Sequence, residues 1–251
     1  MRLIARIDVR NGYHIKTINC EGVEKIRPVE ESTDIFSQGD NEHDEILLID
    51  TVASLYGFDN WLIRQSNKHV YCPIPLAIGG GVSSVDIAIS TLDRVADKIV
   101  INTAAVRSPQ LLEKIANVCG RQAVILQIDT KKINDYYKCF THGARELSNF
   151  SLTDWLSQAQ DRGVGEVHVT SIDSEGIDEP FPNDLAELCR SNTQLPLIIS
   201  GGIGTSEEMR NYHHQFEIDA FSFSSITNRF NIAVKEIRQQ LLKFGEEVRC
   251  P

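Results

Sequence analysis

Two aspartates stand 121 positions apart (129 − 8 = 121), each closing an apolar, β-branched run: Ile7-Asp8 and Ile128-Asp129. Carboxylates fixed at the ends of two strands suit paired acid and base work, one group taking a proton while the other gives one. Two glycine-rich turns keep the same offset, Gly79-Gly80-Gly81-Val82 and Ser200-Gly201-Gly202-Ile203. Glycine lets the backbone come close to an anion, and the helix start that follows offers unsatisfied N–H donors. Asn102-Thr103-Ala104 and Ser224-Ser225 add amide and hydroxyl partners, again at one offset. A lone Asp at a strand end caps a turn, and a lone glycine triplet makes one. Duplication of both sets favours chemistry instead: proton transfer on a small substrate with a phosphate at each end.

The elements that must hold these residues repeat too. Eight short runs read as strands: Leu3–Asp8, Glu45–Asp50, Leu76–Ile78, Lys98–Ile101, Ala123–Asp129, Glu166–Thr170, Leu197–Ser200 and Ala220–Ser222. Helix-length stretches lie between them, among them Gln110–Val118, Leu152–Asp161, Asp184–Arg190 and Ala233–Phe244. Continuous apolar strands separated by helices imply a parallel sheet buried on both faces. With the half-length repeat, they predict an α/β fold, a single (β/α)₈ TIM barrel over 1–251 built from two fused half-barrels of about 1–121 and 122–251. Two polar stretches, Asn11–Val29 and Lys131–Asn149, read as long loops on the catalytic face, each following one of the aspartates.

A formal charge of −10 offers no broad basic stripe, which argues against a nucleic-acid partner. No apolar run approaches the roughly 20 residues that span a bilayer. The N-terminus enters a charged strand at once and reads as no signal peptide. The six cysteines show no CxxC pairing, so reduced thiols in a cytoplasm are expected, with no metal and no cofactor. The seven histidines have no metal-ligand spacing; His213-His214 read as surface, and His168, inside a strand, as packing. Arg2, Glu45, Lys98 and Glu166 lie at strand starts, where an ordinary solvated rim accounts for them as residues alone. Lys16, in the first long loop, is placed to close over a phosphate.

Taken together, these residues resemble the cyclase subunits of imidazole glycerol phosphate synthase, in the histidine-biosynthesis half-barrel superfamily. The resemblance runs through essentially the whole chain. It is carried most specifically by Ile101-Asn102-Thr103-Ala104-Ala105-Val106, Val169-Thr170-Ser171-Ile172-Asp173-Ser174-Glu175-Gly176 and Ile78-Gly79-Gly80-Gly81. It implies Asp8 as general base and Asp129 as general acid. It implies that Lys16, Asp50, Asn102, Thr170 and Ser171 line the substrate. Gly80, Gly81, Gly176, Gly201 and Gly202, with Thr103, Ser224 and Ser225, would hold the two phosphates. Arg2, Glu45, Lys98 and Glu166 match a charged gate at the barrel base, which reverses the rim reading. That gate would admit ammonia from a separate glutaminase subunit docked on the N-terminal barrel face, giving a heterodimer with an ammonia channel and no cofactor.

Several positions depart from the family pattern. Glu175 stands where an Asp is usual, Ile177 follows where a small polar residue is usual, and Asp178-Glu179-Pro180-Phe181-Pro182 is an altered sixth loop. Ser148-Asn149 replaces a Thr-Gly pair, and Arg6 puts a cation inside the barrel. These keep open the alternative of an ammonia-conducting subunit serving surface-polysaccharide sugar modification. The sister ribonucleotide isomerase, which also uses two Asp residues, is a second alternative, against which Asn102-Thr103 and Ser171-Ile172-Asp173 speak.

Overall fold

The computed structural model of the protein describes residues 1–61, 72–177, 179–224 and 232–249. Its centre is a closed parallel barrel. The strands β1 (Arg2–Arg10), β4 (Glu45–Asp50), β5 (Leu76–Gly79), β6 (Lys98–Ile101), β7 (Val124–Ile133), β10 (Glu166–Ser171), β11 (Leu197–Ser200) and β12 (Ala220–Phe223) pair in that order. β12 then pairs with β1 and completes the ring.

The strands are apolar on both faces because both faces are covered. Leu3, Ile99, Val124, Val167, Val169, Leu197 and Phe221 belong to the outer core, which takes in the helices. Residues of opposite parity, including Ile4, Leu47, Val100, Ile125, Ile198 and Ala220, plug the inside. Local signals start the helices where the chain must turn back. Ser84 and Ser151 cap Val85–Arg94 and Leu152–Asp161, and a Thr205/Glu208 capping box opens Ser206–Phe216.

The two stretches read as long loops differ from that expectation. β1 and β7 run on past their aspartates into antiparallel partners. Tyr13–Ile18 and Glu21–Pro28 form β2 and β3; Tyr136–Thr141 and Glu146–Ser151 form β8 and β9. Their turns, Asn19-Cys20 and Asn134-Asp135, have positive φ at both residues, as tight hairpins require. These ribbons face water on one side, so they lack the continuous apolar run that marked the barrel strands. Among the described residues, no helix is long and apolar enough to cross a membrane.

Candidate active site

Asp8 and Asp129 come to one place. Both are buried, and both line a cleft of about 850 Å³ at the C-terminal mouth of the barrel. Each is held by the residue two positions earlier on its own strand, which therefore points to the same side. Arg6 Nε donates to both Asp8 oxygens, at 3.1 and 3.2 Å. Gln127 Nε2 donates to Asp129 Oδ1 at 2.9 Å, and Asn102 Nδ2 to Asp129 Oδ2 at 2.9 Å. The Arg6 guanidinium also reaches Thr170 Oγ1 at 2.9 Å and Ser200 Oγ at 3.3 Å.

Charge follows from that arrangement. Burial pushes the Asp129 carboxyl above the ordinary carboxylate value, although Arg6 and Gln127 pull against it. Burial alone would lower Arg6, but Asp8 and Asp129 raise it and keep it a cation. Cys20, at the tip of the β2–β3 hairpin, also lines the cleft, and burial raises its thiol well above normal, so it stays uncharged.

The first glycine turn closes one side of this cleft. Gly80 and Gly81 have φ of +87° and +81°, and a Cβ on Gly80 would stand 2.1 Å from Asp50 O. Asp50 lines the cleft, while its carboxylate accepts from the backbone N–H of Val52, Ala53 and Trp61. Thr103 also lines it, and its hydroxyl accepts from His142 N at 3.0 Å. Arg10 and Arg145 add two cations that sequence reasoning did not single out.

A second cleft, of about 1170 Å³, opens on the other side of Arg6 and Asp8. Gly176, Gly201, Gly202 and Ser224 line it, as does Lys16. Lys16 faces Glu175 at 3.6 Å. Glu175 in turn accepts from Thr17 Oγ1 and Cys20 N, fastening the hairpin over the mouth. Glu208 also lines this cleft, and its carboxylate accepts from Gly204 N and Thr205 N. The capping box that opens Ser206–Phe216 thus brings a negative charge to the cradle.

Two expected positions fall differently. Thr170 bonds Arg6 inside the barrel rather than lining either cleft. Ser171 has the opposite parity and stays buried at the strand end, its hydroxyl within the 171–174 turn. Ser225 lies outside the described residues. Gln127 was not singled out, though a signal existed: it sits at Arg6's offset (127 − 6 = 121).

At the opposite end of the barrel, Arg2, Glu45, Lys98 and Glu166 close a ring. Arg2 contacts Glu45 at 2.9 Å and Glu166 at 2.6 Å; Lys98 contacts Glu45 at 2.9 Å and Glu166 at 2.7 Å. Burial would raise the Glu166 carboxyl, but Arg2 and Lys98 hold it below its usual value.

The family described as Histidine biosynthesis protein matches residues 2–226. The chain belongs to that family. Among its curated members, imidazole glycerol phosphate synthase subunit HisF of Chlorobium chlorochromatii is 33% identical, over 99% of this chain and 98% of its own length. The HisF subunit of Legionella pneumophila is 38% identical, over 83% of this chain and 98% of its own length. That of Chlorobium phaeovibrioides is 34% identical over 99% and 98%. The histidine biosynthesis family thus covers both glycine turns, both aspartates and the charged ring.

Proposed function

We propose that the chain is a cyclase subunit of imidazole glycerol phosphate synthase. It would join ammonia to phosphoribulosyl formimino aminoimidazole carboxamide ribonucleotide and release imidazole glycerol phosphate and aminoimidazole carboxamide ribonucleotide. The observation that carries this reading is the shared mouth. Two carboxylates line one cleft, and a glycine turn lies on each side of them.

The roles follow from the surroundings. Adding ammonia to a carbonyl and expelling its oxygen requires a proton taken from nitrogen and a proton delivered to oxygen. Asp129, raised by burial, is suited to carry the proton and acts as general acid. Asp8, beside the Arg6 cation, acts as general base. Asn102 orients Asp129, and Gly80, Gly81 and Thr103 hold one phosphate. Gly176, Gly201, Gly202, Ser224 and Ser225 hold the other, with Lys16 above it.

Ammonia would come from a glutaminase subunit docked on the N-terminal face, where the Arg2–Glu45–Lys98–Glu166 ring forms the gate. The setting is the cytoplasm, and halves 1–121 and 122–251 are fused copies within one domain. The HisF names of the relatives favour neither the isomerase nor the polysaccharide-conduit alternative.

The isolated chain, supplied with ammonium and the bisphosphate nucleotide, is expected to form both products. Asp8→Asn and Asp129→Asn should each slow this by about 10²–10⁴-fold. An isomerised ribonucleotide as the sole product, or full activity in Asp8→Asn, contradicts the reading.

A further inference from the structure

Two side chains deep in the barrel present polar atoms that find no hydrogen-bond partner among the described residues: both ring nitrogens of His168, and Ser222 Oγ. Both residues are 0% exposed. Strand alternation fixes their direction. Val167 and Val169 join the outer core, so Glu166, His168 and Thr170 turn inward. Phe221 and Phe223 likewise leave Ser222 facing inward, where it forms part of the second cleft.

His168 lies between the two charged ends of the barrel. Glu166, two residues below, is in the ring; Thr170, two residues above, accepts from Arg6. Each step is about 6.6 Å along the strand. On β7 the register sets Gln127 opposite His168, and Gln127 donates to Asp129. On β11 the register neighbour is Ile198. The inner wall at this depth is otherwise hydrocarbon: Ile4, Leu47, Val100, Ile125, Ile198 and Ala220. Buried polar groups are nearly always partnered, and an aliphatic residue would pack in this wall without that demand. A histidine and a serine facing the axis therefore call for a small polar occupant.

We propose that His168 and Ser222, with Gln127 alongside, form a polar station on the barrel axis that binds ammonia between the charged ring and Asp129. This rests on the cyclase reading. Burial and the nearby Arg6 cation hold the imidazole well below its usual pKa, so it stays neutral. A neutral ring offers one acceptor and one donor. Ammonia, with N–H donors and one lone pair, matches both. Arg6 above the station repels ammonium and favours the uncharged species.

The test is ammonia binding to the full chain labelled with ¹⁵N at histidine. Ammonium chloride is titrated at alkaline pH, where free ammonia is plentiful, against sodium chloride at equal ionic strength. The His168 ring resonances, assigned by their loss in His168→Leu, should shift saturably with ammonia alone. Ser222→Ala should weaken that response by about tenfold, the effect of one lost hydrogen bond. Ser222→Ala removes a single hydroxyl and keeps the test open should His168→Leu not fold. No shift, or an equal shift with sodium chloride, overturns the proposal; a ring that takes only water gives that result. Product formation with ammonium is measured separately. Its absence beside a clear ammonia shift sinks the cyclase reading and leaves the station standing.

Discussion

Asp8 is held by a cation and Asp129 by an amide, although Arg6 and Gln127 occupy equivalent places on β1 and β7. The same inequality extends outward. The first cleft sets Arg6, Arg10 and Arg145 against Asp8, Asp50 and Asp129. The second sets Arg6 and Lys16 against Asp8, Glu175, Glu179 and Glu208. The two sides of one barrel mouth thus carry different electrostatic sites, one balanced and one negative. Near two-fold geometry can serve a nearly symmetric bisphosphate while the carboxylates divide the proton work unequally.

The largest expected difference is in stability. Asp8→Asn strips a buried guanidinium of its ion-pair partner and should cost roughly 3 kcal/mol in denaturant unfolding. Asp129→Asn removes a carboxylate whose hydrogen bonds come from the Gln127 and Asn102 amides, and it leaves the Arg6–Asp8 ion pair in place, so it should cost less. Equal losses would mean that Arg6 does not distinguish the two sites. The pH dependence sharpens this. A carboxyl raised in the folded state contributes stability in acid, and that contribution is lost as pH rises through the raised value. Asp129→Asn should therefore gain on the parent protein towards neutral pH, and the gain should vanish below the ordinary Asp range, near 3.8. The smallest effect concerns anions. Inorganic phosphate should prefer the first cleft, and Arg145→Ala should weaken it about fivefold, the scale of one exposed charge contact. Stronger binding at the second cleft, unaffected by Arg145→Ala, would reverse the ranking.

Much of this was legible in the chain itself. The 121-residue offset located the aspartates and the glycine turns, because apolar runs and glycines leave signals in sequence; the charged ring repeats only at Glu45 and Glu166 (166 − 45 = 121) and was reached through the family resemblance. The hairpins after Asp8 and Asp129 were not legible as strands, since their solvent-facing residues interrupt the apolar run. Glu208 caps the helix that follows the second glycine turn, and its placement in the second cleft depends on tertiary structure. Arg10 has a basic counterpart in Lys131 (131 − 10 = 121) and Arg145 has none, but a single cation past a strand end is no signal by itself, and only the folded mouth brings the two arginines together. Ser171 was expected at the substrate, but strand parity turns it away.

The central claim is that Asp129, and not an ordinary exposed carboxyl, carries the proton in the mouth. It is tested most directly by ¹³C resonances of labelled aspartate side chains followed through a pH titration, with the Asp129 signal identified by its loss in Asp129→Asn. The account predicts a midpoint above the usual Asp value. A midpoint at or below that value would leave the mouth without its acid and contradict the assignment.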